Sequence, residues 1–289
     1  MKRSMIWAMV PIPAMAAFRA WPGLAGAWAE GVALPLLQGL HRMSAALPFP
    51  LLEPLALLLT IALLRRRFRA MALALILGMY GLLWYPGYFA APAPRYAAPA
   101  PRYDAPADAE RLCLQLTDAL NASALAFEPP FDAAGAVAGL PWARVKPARY
   151  PEWMRAMDIE GLFAPWTGEA LADPGAPPGS LPFTCVHELM HLKGIADEGQ
   201  ANIAAYRLCV EKGGMYADSA RLWALRCALG ELDDAARARV TRRASRRLRP
   251  LLMVSEVREP SGLFRLLGIG RQTADYDALL GWLALTPPA

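Results

Sequence analysis

The feature that most constrains this chain is the run His187-Glu188-Leu189-Met190-His191, followed by Gly194 and then by the acids Asp197 and Glu198. Residues four apart on an α-helix lie one above the other on the same face, so a helical run lets His187 and His191 hold one ion. Glu188 then stands beside that ion. The flanking residues agree with a short helix: Pro182 and Thr184 mark its start, Thr184 being read as the N-cap, and Gly194 suits a left-handed stop. After the reversal, Asp197 can cap a second helix with Gln200 three residues on, and Glu198 enters its first turn. Glu198, Asn202 and Cys209 then share a face.

This pattern points to metal-assisted hydrolysis. Zn²⁺ brings the pKa of a water toward neutrality and polarises a carbonyl, and a neighbouring carboxylate can take the proton. His187 and His191 are therefore read as metal ligands, and Glu188 as general base and then proton donor to the leaving amine. A catalytic zinc takes three protein ligands, but the chain has only 3 histidines and the remaining one, His41, lies far upstream. The third ligand is expected to be a carboxylate. Adjacent helical residues point about 100° apart, so only one of Asp197 and Glu198 can face the ion. Asp197 has a structural use as N-cap, which makes Glu198 the preferred ligand and Asp197 the alternative. Asp197 would complete His-Glu-x-x-His-x-x-Gly-x-x-Asp, a spacing that resembles a small group of metzincin peptidases. The reading without chemistry is an ordinary amphipathic helix with two polar residues.

At 56% hydrophobic and 19% charged, the 289 residues are too apolar for an ordinary soluble protein, and the excess lies before Tyr88. The expected fold is α+β and predominantly helical, with N-terminal transmembrane helices followed by a zincin-like metallopeptidase domain. Residues 1–88 form the membrane region, with crossings at about 5–20, 47–64 and 70–86 and an interfacial segment at 22–40 carrying Trp28. The first crossing could instead be a cleaved signal sequence. Arg65-Arg66-Arg67-Phe68-Arg69 makes a short basic loop, which belongs on the cytoplasmic side. With Lys2 and Arg3 also inside, three crossings put everything after Tyr88 outside, in a multi-pass protein of the bacterial inner (cytoplasmic) membrane. Trp84, Tyr85 and Tyr88 form an aromatic belt. Residues 89–107, with Pro92-Ala93-Pro94-Arg95-Tyr96 repeated as Pro99-Ala100-Pro101-Arg102-Tyr103, read as a stiff spacer that lifts a catalytic domain, 108–289, off the bilayer. A polyproline recognition ligand is the alternative for that spacer.

The run Thr167-Gly168-Glu169-Ala170, then Leu181-Pro182-Phe183-Thr184 leading into His187-Glu188-Leu189-Met190-His191, then Gly194, Glu198-Gly199-Gln200-Ala201-Asn202 and Tyr206, resembles a bacterial membrane family catalogued as domain of unknown function 3810. The resemblance extends over nearly the whole chain and implies membrane helices ahead of an extracytoplasmic domain with a gluzincin-like pattern. In gluzincin peptidases a Glu-x-x-Ala-Asp/Asn run supplies the third zinc ligand and a residue that steadies the ligands. Those roles would fall on Glu198 and Asn202. Gln200 stands where the family usually carries an acid, and Leu192 where it usually carries glutamine.

Downstream, a helix is expected from Ala107 to about Leu125. Ile159, Gly161 and Phe163 could lie in a strand, and by position and resemblance 159–164 is the candidate edge strand against which an extended substrate would lie. Beyond Asn202 the chain reads as helical, with a break at Gly213-Gly214 and a helix from Asp233 whose arginines surround Val240, Ala244 and Leu248. That arginine face lacks interleaved aromatics, so nucleic acid is not an expected partner; a solvated face comes first and anionic lipid second. Tyr276, in the tail ahead of a final apolar helix, is a candidate oxyanion donor by resemblance, with core packing the ordinary use for it. Cys113, Cys185, Cys209 and Cys227 show no metal-site spacing and are core or disulfide residues. The function expected is hydrolysis of peptide or protein substrates by a membrane-anchored zinc enzyme; the alternative is a non-catalytic membrane protein with a structural zinc site.

Overall fold

Proline sets the punctuation of the N-terminal helices in the computed structural model, which describes residues 11–90, 106–157, 159–177, 179–252 and 279–283. Helix α1 (Pro11–Ala20) is followed by α2 (Pro22–Trp28), a π turn (Ala29–Ala33) and α3 (Leu34–Ala45). The wider turn comes just before Pro35, whose missing N–H would otherwise break the ladder. A second π turn, Tyr80–Trp84, precedes Pro86 in the same way. Pro86 cannot donate to the carbonyl of Leu82 four residues back, and the indole of Trp28 does so instead at 2.8 Å.

Helix α4 (Leu52–Leu64) and helix α5 (Arg69–Met79) form a hairpin around the arginine loop; α5 continues through the π turn into a 3₁₀ turn, Tyr85–Phe89. The composite helix Arg69–Phe89 is, among the described residues, the one helix long and apolar enough to cross a membrane. The expected crossing at 47–64 is shorter than the sequence suggests, because α4 begins only at Leu52 and spans about 20 Å. Of the expected crossing at 5–20, residues 11–20 are described, as α1. In the segment 22–40, Leu37 enters the main core, and just beyond it His41 and Ser44 are buried.

A small sheet has the order β1 (Val145–Pro147), β3 (Glu169–Ala172), β2 (Gly161–Ala164), with β1 parallel and β2 antiparallel to β3. Gly161 pairs with Ala172 and Phe163 with Ala170, leaving β2 as an edge. The remainder is helical: α6 (Pro106–Asn121), α7 (Ala134–Val137), α8 (Glu152–Ala156), α9 (Leu181–Leu192), α10 (Glu198–Lys212), α11 (Gly214–Gly230), α12 (Asp234–Arg243) and α13 (Arg249–Leu252). Helix α9 is buried nearly all round, against the sheet on one side and α10 and α11 on the other. The arginine face is solvated, as expected, and two of its members are paired. Arg239 grips Glu110 and Arg243 grips Asp118 on α6, each through two bonds, while Val240, Ala244 and Leu248 face the core. All four cysteines are buried and unpaired, as core residues rather than disulfides.

Buried polar groups fasten α3 and α4 to the sheet. Lys146 on β1 donates to the carbonyls of Ser44 (2.6 Å) and Phe49 (2.9 Å), closing the end of α3, and to Glu169 at 2.8 Å. Glu169 on β3 in turn accepts the N–H groups of Leu51 and Leu52, both at 2.8 Å, at the start of α4. His41 bridges Gly168 O (2.8 Å) and Arg144 N (3.3 Å). Gly168 has φ +67°, and a Cβ there would lie 2.6 Å from His41 N. Residues 91–105, which hold the expected spacer, lie outside the described residues; α3 before them packs directly on the sheet and on α9.

Candidate metal centre

Helix α9 starts a turn earlier than Thr184 predicts. Leu181 is its first residue with Pro182 next, and the free N–H of Phe183 donates to Ser219 Oγ at 2.9 Å, a cap supplied from α11. Thr184 is thus inside the helix, where its hydroxyl meets Glu160 Oε2 at 3.4 Å. The stop falls at Gly194, with φ +90° and its N–H bonded to His191 O. Asp197 then caps α10, its carboxylate accepting from Gln200 N at 2.9 Å.

One turn apart, the imidazoles of His187 and His191 stand perpendicular with centroids 4.9 Å apart. Glu198, the first residue of α10, brings Oε2 to 3.0 Å from His187 Nε2 and 3.5 Å from His191 Nε2. One donor atom from each of the three lies within 4.8 Å of the others, the spread that a single ion can bridge. Of the two neighbouring acids, the fold turns Glu198 to the histidines and keeps Asp197 at the helix terminus. His191 Nδ1 donates to Ile195 O at 2.7 Å, which leaves Nε2 as the free donor atom. His187 Nδ1 is buried without a hydrogen-bond partner among the described residues. Asn202 is buried one turn beyond Glu198, and the described contacts include no bond from it to either ring; for His191 the steadying partner is the Ile195 carbonyl. These residues fit a divalent ion with two imidazoles and one carboxylate.

Glu188 is fully enclosed, and that burial raises its pKa to about 7 against the pull of His187 and His191. The backbone N–H of Phe163 donates to its carboxylate. Burial also disfavours the charged form of His191, but Glu198 and Glu188 beside it raise it to about 9. Partial desolvation pushes Glu198 upward too, yet His191 and His187 hold its carboxyl well below the usual range.

Gly161 lies over Glu188, where a Cβ would collide with Oε1, so only glycine leaves this carboxylate its place. Of the expected strand residues, Gly161 and Phe163 are in β2, whereas Ile159 precedes it and closes α8 by donating to Met154 O at 3.0 Å. Trp84, read from sequence as belt aromatic, instead stacks on Phe163 at 5.5 Å and sets its edge on His191 at 5.2 Å. No sequence signal marks that contact, since 107 positions separate Trp84 from His191. Tyr276 lies outside the described residues. A cleft of about 680 Å³ runs between the end of the 69–89 helix, the Ala29–Leu37 stretch and the Gly194 turn, and reaches His191.

Fold and site together define a mainly helical protein with a small sheet, in which a His-Glu-x-x-His helix and a glutamate after a glycine turn gather one donor set. Residues 135–253 match the model of the family described as "Protein of unknown function (DUF3810)", a stretch that holds the sheet and every residue of the cluster. No curated protein and no solved structure matches the chain.

Proposed function

We propose that the protein is a membrane-anchored zinc-dependent metallopeptidase. The observation that carries this reading is the position of Glu198 Oε2 between two histidine Nε2 atoms, with a second carboxylate, Glu188, beside them but outside the donor set. A structural metal site has no use for that extra buried carboxylate and tends to be closed by four ligands. Zinc, when bound, supplies a Lewis acid that polarises a carbonyl and acidifies water. Glu188 takes the proton at its carboxylate and returns it to the leaving amine. Phe163 N–H orients that carboxylate, and the outer side of β2 offers the extended segment along which a polypeptide would lie.

The test is metal content of the purified full chain in detergent micelles together with digestion of a peptide library. Zinc near one equivalent with cleavage supports the enzyme; zinc without cleavage supports the structural-site alternative.

A further inference from the structure

The dimensions of the α4–α5 hairpin place the metal centre relative to a bilayer. From Leu52, capped by Glu169, α4 runs to Leu64 in about 20 Å, and from Arg69 to Trp84 the returning helix runs about 22 Å. Trp84 is in contact with His191. The sheet and the cluster therefore sit only about 20 Å along the hairpin from its tip, Arg65, Arg66, Arg67 and Arg69. Over that length the hairpin exposes Leu57, Leu58, Ile61, Leu64 and Met71, a face suited to lipid. A hydrocarbon core is about 30 Å thick. With the arginines at one headgroup boundary, the catalytic sheet begins about 10 Å short of the other. The last turn of the 69–89 helix continues alongside the catalytic unit, Gly87 lying against Ala196 next to the Asp197 cap.

The cleft that reaches His191 is walled at this depth by Ala33, Leu34 and Leu37 of the N-terminal helices and by Leu83, Trp84 and Tyr88 of the spanning helix. Glu30, Gln38 and Gln200 also line it, polar groups that a peptide backbone can meet and an acyl chain cannot. Resting on the peptidase reading, we propose that this cleft receives the apolar, membrane-proximal segment of a membrane-anchored polypeptide, which is cut within a few residues of the point where it leaves the bilayer. The N-terminal helices then form one wall of the substrate site as well as its anchor.

The experiment uses the full chain in vesicles of phosphatidylethanolamine and phosphatidylglycerol. One cleavable sequence is presented directly after a single transmembrane helix, about 25 residues beyond it, and as a free peptide. Cleavage of the first about tenfold faster than of the other two is expected, because the site is held at the depth of the scissile bond. Equal rates overturn the proposal and leave the peptidase reading standing, whereas no cleavage of any form by zinc-loaded protein overturns both. Glu30→Cys carrying a nitroxide tests the depth without catalysis; the four native thiols are buried. Collision with oxygen in preference to a water-soluble nickel chelate, as inside the headgroup boundary, supports the proposal, and values of bulk water overturn it. Protection of that label by free phospholipid with no effect of the tethered polypeptide overturns it in favour of a lipid site.

Discussion

Glu188 and Glu198 approach the same two imidazoles but are held differently. Glu198 reaches Nε2 atoms, whereas Glu188 is held by Phe163 N–H under Gly161. Glu188→Gln is therefore expected to keep zinc and lose hydrolysis by about 10²–10⁴-fold or more, measured as metal content and peptide cleavage on one preparation. Parent-like cleavage would sink the base assignment. Glu198→Ala is expected to strip zinc, and Asp197→Ala to leave it bound while costing about 1 kcal/mol of stability from the lost cap. The reverse result in metal analysis would move the site to Asp197. Gly161→Ala adds a methyl where Glu188 already stands, so zinc should stay while activity falls and stability drops by about 1–3 kcal/mol.

Between elements, the strongest ties are polar and buried. Glu169→Ala would leave Lys146 without its counter-charge and the Leu51 and Leu52 N–H groups without an acceptor. A cost of about 3–5 kcal/mol in denaturant unfolding is expected, and a loss under 1 kcal/mol would mean that the α3–α4 junction is not fastened there. Helix α8 is tied more lightly, by Arg155 to both oxygens of Asp173, which also accepts Gly175 N–H. Burial alone would raise Asp173, but Arg155 and the Gly175 N–H hold it below the ordinary carboxylate range. A depressed folded value means that the contribution is present above the unfolded pKa and disappears as pH falls through the folded one. Asp173→Asn should therefore lower the melting midpoint at neutral pH and differ progressively less from the parent as the pH drops below the carboxylate range. A gap that widened with acid would contradict that linkage.

Across the whole molecule, the donor set joins α9 to α10 only through a short turn, while the core around them is continuous. Chelation should leave the fold in place but less stable, by about 2.7 kcal/mol relative to free zinc at a hundredfold excess over Kd. For a chain of this size that is a fall in melting temperature on the order of 4 °C, readable by calorimetry; no shift would count against a bound metal.

Sequence by itself determined what depends on neighbours a turn or two away: His187 and His191 on one helix face, the glycine stop, the Asp197 cap and the buried stripe of Val240, Ala244 and Leu248. Each follows from helical periodicity or from a terminus needing a hydrogen-bond partner, and such constraints are local. Tertiary structure decided the start of α9, because Ser219 on α11 supplies a cap that no nearby residue announces. It also paired Arg239 and Arg243 of α12 with acids on α6, and folded 41–52 onto the sheet, since Lys146, Glu169 and Gly168 meet that segment only across about a hundred residues of chain. Trp84 changes meaning for the same reason. Hydropathy reads it as a membrane-surface aromatic, and only packing sets it against His191, where the same side chain lines the cleft.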